Sequence, residues 1–413
     1  MTMRILYLSQ YFPPEAGATQ TRAYEMATNW VRLGHKVTMI TEFPNHPSGI
    51  IPPEYKGKLY ERSSMDGIEI IRVWVKASPQ KNFRNRMLFY LSFMINAIIA
   101  GLFLARGKYN LLYATSPPLF VGGAALILSF SKQIPLVFEV RDLWPETAKA
   151  LGELSNPIAI SISTYLEETC YRKAAQIVVV THGIYERLKQ RGISENKLFI
   201  LTNGANIDLY VFKPDEREKI RNELGLQERF ILIYAGIFGL AYCLKTIFEA
   251  GKRLAVIDPD IFFILIGDGP KKSEITSLVK IYNLPNLLVF PEKPRELIPG
   301  YLSAADVALI PLCKVDILNV ALPVKIFDAW ACERPVLLCI NGEAREMVES
   351  VKGGIVIQPE DSDKLVETIL LMKKSNVERL LMGKNGREYT VQHYSRSALA
   401  EKLIDHLDKT IHH

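Results

Sequence analysis

The stretch Ala321 to Ile340, ALPVKIFDAWACERPVLLCI, decides the fold. It sets a short helix between a loop and an apolar strand, the alternation from which doubly wound parallel sheets are built. Pro323 suits the first helical position, where its fixed φ fits and its missing N–H would have had no partner. The turn that follows offers backbone amides, and Lys325 and Asp328, three residues apart, share a face. An ammonium beside helix amides can take a pyrophosphate, while a carboxylate one turn on accepts both hydroxyls of a ribose. The helix is expected to stop near Glu333, and Pro335 leads into Val336 to Ile340, which reads as a buried parallel strand. A surface helix that carries a Lys and an Asp by chance has the same pattern, so the rest of the chain must decide.

Outward from that stretch, short apolar runs alternate with helical patterns on both sides. The first half gives strands at Arg4 to Ser9, Lys36 to Thr41, Ile68 to Val75, Leu111 to Thr115, Leu136 to Glu139 and Ile177 to Thr181. An amphipathic helix from Thr19 to Leu33 is closed by Gly34. The second half gives strands at Phe230 to Ala235, Ile261 to Ile266, Leu287 to Phe290, Val307 to Leu309, Val336 to Ile340 and Gly354 to Ile357. The charged stretch Phe212 to Arg229 separates the two sets, which puts the linker near Gly204 to Asp215. The reading is α/β: two doubly wound, Rossmann-like parallel sheets facing a cleft. Residues 1–204 form one domain and 205–390 the other, with a last helix in 391–413.

The 413 residues, 48% hydrophobic and 23% charged, suffice for two cores of ordinary size. The net charge of +6 and pI near 8.8 fit anionic substrates or an acidic membrane surface. No basic run interleaved with aromatics points to nucleic acid. Cys170, Cys243, Cys313, Cys332 and Cys339 are odd in number, scattered and never in C-x-x-C spacing. That pattern reads as free thiols in a reducing cytosol and argues against a disulfide framework or a zinc site. The run ILYLSQYF after Arg4 is too short for a signal peptide and reads as a first strand. His412 and His413 read as a tag remnant.

Met87 to Ala105, MLFYLSFMINAIIAGLFLA, is long enough to span a bilayer and is bracketed by Lys81, Arg84, Arg86, Arg106 and Lys108. Ser92, Asn96 and Gly101 interrupt it, and its flanks both read as strands of one sheet, which a spanning helix would split across the membrane. A buried helix and a helix that dips one face into the anionic inner leaflet are the other two readings.

Several motifs occur in a telling order: SQYFPPEAGATQTR from Ser9, FPNHPSG from Phe43, ATSPPLFVGG from Ala114, FEVRDLWPE from Phe138, LTNGANIDLY from Leu201, YAGIFGLAYCL from Tyr234, IGDGP from Ile266 and INGEARE from Ile340. With ALPVKIFD they resemble the family-4 retaining glycosyltransferases of GT-B fold, especially the branch that builds O-antigens and exopolysaccharides. The resemblance runs end to end. It implies that 1–204 is an acceptor domain, 205–390 a nucleotide-sugar donor domain, and 391–413 a helix that crosses back to the first domain. It implies a metal-independent, retaining hexosyltransferase with no cofactor, moving a hexose, UDP-glucose or a related UDP-sugar being the favoured donor, to a lipid-linked saccharide or polysaccharide. It also implies a cytoplasmic enzyme, with peripheral contact to the inner membrane as an option.

What the resemblance implies for residues is as follows. Gly17 and Ala18 stand in the family's glycine loop, against the transferred sugar and phosphates. Leu322, Pro323, Val324, Lys325 and Asp328 form the donor helix, and Lys325 and Asp328, together with Arg141, are the candidate catalytic residues. Gly236 and Gly239 line the donor loop, and Lys293 and Arg295 stand where relatives hold the base. At strand ends, where open sheets bind ligands, His46, Ser116, Asp142, Glu146 and His182 are acceptor candidates. Arg141 stands near the place of a family His and has a plain ion pair with an acid as its rival role.

The chain departs from the pattern at three places. Ile237 and Tyr242 stand where many relatives carry cations, and Val320 where they carry a Glu. GDGP at Gly267 lacks a third glycine and reads as a structural turn. Asp258-Pro259-Asp260 has a metal-binding form but precedes its strand, so no metal is expected. A UDP-N-acetylglucosamine 2-epimerase and an inactive nucleotide-sugar-binding subunit are the rivals.

Overall fold

The computed structural model describes residues 2–411 except Ala16, Pro47 and Lys81. Ala16 of the glycine loop, the flanking cation Lys81 and the terminal His412 and His413 thus lie outside the described residues. The chain divides into two compact units. One runs to Thr202 and resumes at Ser397; the other is Asn203–Arg396.

The first unit is built on eight strands: β1 (Arg4–Leu8), β2 (Lys36–Glu42), β3 (Tyr60–Met65), β4 (Ile68–Val73), β5 (Leu111–Ser116), β6 (Leu136–Val140), β7 (Gln176–Val179) and β8 (Leu198–Ile200). Their order is β3-β4-β2-β1-β5-β6-β7-β8, parallel throughout except for the edge strand β3. The second unit holds β9 (Phe230–Ala235), β10 (Ile261–Ile266), β11 (Leu287–Phe290), β12 (Val307–Pro311), β13 (Val336–Cys339) and β14 (Gly354–Ile357). These are parallel in the order β11-β10-β9-β12-β13-β14. In each sheet the winding reverses beside the first strand, between β1 and β5 and between β9 and β12. Loops at the carboxyl ends diverge there and leave room for a ligand.

Tyr7, Trp30 and Tyr113 centre the first core, with ring centroids 4.9 and 5.2 Å apart at Tyr7–Tyr113 and Trp30–Tyr113. The last helix, Arg396–Ile411, adds Leu399, Ala400, Leu403, Ile404 and Leu407 to this core. Trp30 Nε1 donates to the Ala400 carbonyl at 3.0 Å, which satisfies the indole inside an apolar cluster. The second core gathers Leu232, Tyr234, Phe238, Phe248, Phe263 and Leu309.

Four local expectations are corrected. Pro323 is not the first helical residue: it has φ −62° but ψ 127°, so it caps the helix Val324–Ala331 from extended backbone. Phe212 to Arg229 contains a full helix, Pro214–Leu224, with Pro at its start, acids in the first turn and left-handed Gly225 after it. Its Arg217 and Arg221 each reach Asp306 at 2.7 Å. The strand β3 had no apolar alternation to reveal it, because none of its six residues is buried. The apolar segment is a helix over Phe83–Ile99 that widens into a π-helical turn through Leu104. It is not a buried helix: of Phe83–Ile99 only Phe93 and Ala97 are buried. Its polar interruptions point inward, where the Ser92 hydroxyl accepts from the Lys76 amide at 2.8 Å and Asn96 donates to the Trp74 carbonyl at 2.9 Å. Leu88, Leu91, Ile95, Ile99, Leu102 and Phe103 are exposed.

Candidate functional site

At the switch point of the second sheet, the loop after β9 and the loop after β12 are stitched together. The Cys243 amide donates to the Pro311 carbonyl at 2.8 Å and the Cys313 amide to the Ala241 carbonyl at 2.9 Å, with Tyr242 bridged to Leu312 between them. Helix Val324–Ala331 begins beside these loops, and its first amides have no intrahelical acceptor. From its first turn Lys325 extends back over the loop. Its Nζ donates to the Tyr242 hydroxyl at 3.1 Å and lies 4.2 Å from the Tyr242 ring centroid and 5.4 Å from that of Tyr234. Two ring faces stabilise a cation there. The position that the family resemblance marks as a lost cation, Tyr242, therefore holds the cation that is present.

Gly236 is what lets Lys325 lie there. With φ at +145°, it passes so close that a Cβ would sit 2.4 Å from Lys325 Cε and 2.6 Å from Nζ. Gly239 has only ordinary neighbours. The GDGP turn buttresses the same loop: the Phe238 amide donates to the Asp268 carbonyl at 2.7 Å, and a Cβ on Gly267 would meet the Gly236 carbonyl oxygen at 1.9 Å. Asp328, half-buried one turn after Lys325, faces a polar group of Tyr210, Arg295 and Arg396. Burial and then the Asp328 carboxylate push the Tyr210 hydroxyl up, while the two guanidinium groups oppose the rise. Arg295 lies 5.7 Å from the Tyr210 ring, and Lys293 turns instead to the rings of Phe290 and Tyr301. Leu322 and Pro323 are buried and Val324 is half-buried, so their contribution is packing and backbone. Asp258 and Asp260 sit before β10, where Asp258 takes Lys373 at 2.7 Å and Asp260 takes Arg229.

The first sheet's switch point holds a cavity of about 240 Å³. Tyr11 lines it from the loop after β1 and Thr19 from the helix Ala18–Arg32 that follows, Pro117 to Phe120 from the turn after β5 into the next helix, and Asp142, Trp144 and Thr147 from the loop after β6 and the short helix Glu146–Ala150. Arg86 and Tyr90 of helix Phe83–Ile99 close one side, with Arg86 paired to Glu153 at 2.8 Å. Asp142 accepts from the Thr147 hydroxyl at 2.6 Å, and burial raises its carboxyl pKa. Of the acceptor candidates, only Asp142 lines this cavity. Ser116 is buried at the end of β5. Glu146 pairs with Arg187 at 2.5 Å on the surface, His46 is exposed with its ring centroid 6.0 Å from that of the lining Tyr11, and His182 is exposed at the start of the helix after β7. Gly17 caps the helix Ala18–Arg32 with φ +147°, and Ala18 opens that helix.

Beneath the cavity lies a buried charge cluster that the sequence did not reveal. Glu139, 1% exposed, accepts from Arg22 Nε at 2.9 Å, the Tyr113 hydroxyl at 2.7 Å and the Thr115 hydroxyl at 2.6 Å. Burial would raise its carboxyl, but Arg22 and Arg141 outweigh burial and hold it below the usual range. Arg141 donates to Thr115 at 2.8 Å, Thr19 at 2.9 Å and the Pro117 carbonyl at 2.8 Å. Its guanidinium ties the end of β6 to β5, to the turn after β5 and to the first turn of helix Ala18–Arg32.

Two parallel α/β units, each with its switch point at the carboxyl edge and one carrying a caged cation in the first turn of a helix, define the GT-B architecture of glycosyltransferases. Residues 17–204 match the glycosyl transferase 4-like domain and residues 216–389 the glycosyl transferases group 1 domain. The chain belongs to the family-4 glycosyltransferases of GT-B fold, and it is an enzyme of hexosyl transfer. It is 23% identical over 387 residues to the teichuronic acid biosynthesis glycosyltransferase TuaC of Bacillus subtilis, which spans 89% of this chain and 88% of that one. Among solved structures, Anabaena HepE in complex with UDP-glucose superposes with a TM-score of 0.74 at 17% identity, over 98% of this chain and 100% of the other. Sucrose-phosphate synthase from Thermosynechococcus elongatus gives 0.78 at 18% identity, over 98% of both chains.

Proposed function

We propose that this protein transfers a hexose from a UDP-sugar, UDP-glucose or a close derivative, to a lipid-linked saccharide or polysaccharide in surface polysaccharide synthesis. The anomeric configuration is retained and no divalent cation sits on the diphosphate. The observation that carries this is Lys325, held by Tyr242 and Tyr234 over Gly236 at the start of helix Val324–Ala331. A fixed ammonium beside helix amides stabilises charge as it develops on a leaving nucleoside diphosphate, the role that a metal otherwise fills. Asp328, one turn on, accepts the ribose hydroxyls. The acceptor hydroxyl attacks from the face the diphosphate leaves, and a diphosphate oxygen takes its proton. TuaC's part in teichuronic acid synthesis and the UDP-glucose bound to HepE support the substrate class.

The acceptor enters the cavity of the first unit. Tyr11, Tyr90, Phe120 and Trp144 offer ring faces to a sugar, and Asp142 orients its hydroxyl. The exposed face of helix Phe83–Ile99 and its π-turn rests on the anionic cytoplasmic leaflet, where a lipid-linked acceptor resides. An apolar row that faces outward while Ser92 and Asn96 face inward is the reverse of a solvated helix, and exposed Arg84, Arg106 and Lys108 flank it. Incubating the protein with UDP-, GDP- and dTDP-sugars tests the reading. UDP release from a UDP-hexose, unchanged by added Mg²⁺ and lost in Asp328→Ala, supports it. Equal release by wild type and Asp328→Ala, or an inverted product, overturns it. An isomerised sugar nucleotide without free UDP would point to the epimerase.

A further inference from the structure

We infer that Cys243, Cys313 and Glu360 form a binding site for a borderline-soft divalent cation of the zinc class. The three residues lie 70 and 47 positions apart in the sequence, and their spacing there argues against such a site. The fold reverses that argument, because the loops after β9, β12 and β14 all leave the carboxyl edge of one sheet and converge. The two Sγ atoms and a carboxylate oxygen all lie within 4.8 Å of one another. Tetrahedral zinc with bonds of about 2.3 Å to sulfur needs the sulfurs roughly 3.8 Å apart, so side-chain adjustments of about 1 Å complete the site.

Each ligand is already aimed by backbone. The two cysteines flank the Tyr242–Leu312 bridge, whose amide bonds fix both loops. Glu360 Oε1 accepts from the Lys314 amide at 2.8 Å, which leaves Oε2 for a metal, while the Cys313 thiol gives up its 3.3 Å bond to the Leu240 carbonyl when it loses its proton to the ion. Second-sphere bonds of this kind orient metal ligands. Both thiols are half-buried and Glu360 is exposed, so an ion has a route in and water can fill the fourth position. Cys170, Cys332 and Cys339 are buried, and among the described residues no other group of His, Cys, Asp and Glu gathers this way. A disulfide between the two thiols would leave Glu360 without a part, whereas a cation uses all three groups.

On binding, two metal–sulfur bonds and one metal–oxygen bond form, and the thiol protons leave to solvent. The ion would clip the loop after β9 to the loop after β12, one residue along the chain from Tyr242, whose hydroxyl holds Lys325. It is a structural clip, separate from the diphosphate, and it stands whatever sugar nucleotide the protein takes.

The test is a Co²⁺ titration of reduced, metal-stripped full-length protein, followed by thiolate-to-metal charge-transfer absorption and the visible bands of tetrahedral Co²⁺. One equivalent should bind, with the charge-transfer band lost in Cys243→Ser and Cys313→Ser and kept in Cys332→Ser. Glu360→Gln should weaken binding about tenfold or more. Circular dichroism checks that the serine variants stay folded, and Cd²⁺ should raise Tm in the wild type and Cys332→Ser but not in Cys243→Ser or Cys313→Ser. No band in the wild type, or an equal band in the Cys243→Ser/Cys313→Ser double variant, overturns the assignment.

Discussion

Replacing Gly236 by Ala tests whether the position of one ammonium governs nucleotide binding. The new methyl would fall 2.4 Å from Lys325 Cε and 2.6 Å from Nζ, against ordinary contacts of about 3.5 Å or more. These atoms are the tip of a flexible side chain, so the fold yields by moving Lys325 by about 1 Å and breaking its 3.1 Å bond to Tyr242. Alanine at φ +145°, a region essentially confined to glycine, adds backbone strain of about 1–3 kcal/mol. Gly225→Ala separates the two effects, since Gly225 also has positive φ, 65°, with nothing within 4 Å of its added Cβ. Both variants should lower Tm by a few degrees. Only Gly236→Ala should weaken UDP, by the worth of a charge-assisted hydrogen bond, about 1.5–3 kcal/mol or roughly tenfold to a hundredfold in Kd. Calorimetric titration with UDP reads this directly. If Gly236→Ala binds UDP as tightly as the wild type, or Gly225→Ala loses as much affinity, the caged lysine is not the phosphate anchor.

Further outcomes follow from the same geometry. Asp328→Asn should weaken UDP by about 1.5–3 kcal/mol yet leave 2′,3′-dideoxy-UDP unaffected; equal losses for both ligands would remove the ribose role. Glu139→Gln should destabilise the first unit by about 3–5 kcal/mol, because Arg22 would stay buried without its counter-charge. Thermal unfolding measures that loss, and a change below about 1 kcal/mol contradicts it. The folded-state pKa of Glu139 is depressed, so its contribution is present above its unfolded value of about 4.3 and lost as pH falls through the folded value. The stability gap between wild type and Glu139→Gln should therefore be constant from about pH 6 to 8 and close in acid, and a gap that widens in acid reverses the sign. Co-sedimentation with vesicles rich in phosphatidylglycerol should capture the wild type and fail for an Ile95→Asp/Phe103→Asp variant; capture of both would move the membrane contact elsewhere.

How far the sequence could be read depended on whether the information was local. The parallel strands were legible where they are continuous apolar runs buried on both faces, such as Ile261–Ile266 and Leu111–Ser116, whereas the three-residue edge strand β8, only partly buried, was not read. Lys325 and Asp328 were legible because a helix puts residues three apart on one side. The cage around Lys325 was not, since Tyr234 and Tyr242 lie 91 and 83 positions away and only the sheet's winding brings them near. The same holds for Arg22 with Glu139 and for Cys243 with Cys313. Two misses did have local signals. Asp66-Gly67, with φ of 49° and 80°, is the hairpin dipeptide that joins β3 to β4. Pro214-Asp215-Glu216 before Gly225 marks the helix Pro214–Leu224 at both ends. The polar residues in Met87 to Ala105 were read as interruptions, when they mark the side that faces the protein.

The helix Arg396–Ile411 has a consequence for synthesis. Leu399, Leu403 and Leu407 cover Trp30 and its neighbours, so the unit begun by β1 is finished only after position 407 has been translated. Throughout the making of Asn203–Arg396, an indole and an apolar floor in the nascent chain stand open to water, the state in which nascent chains recruit chaperones or aggregate.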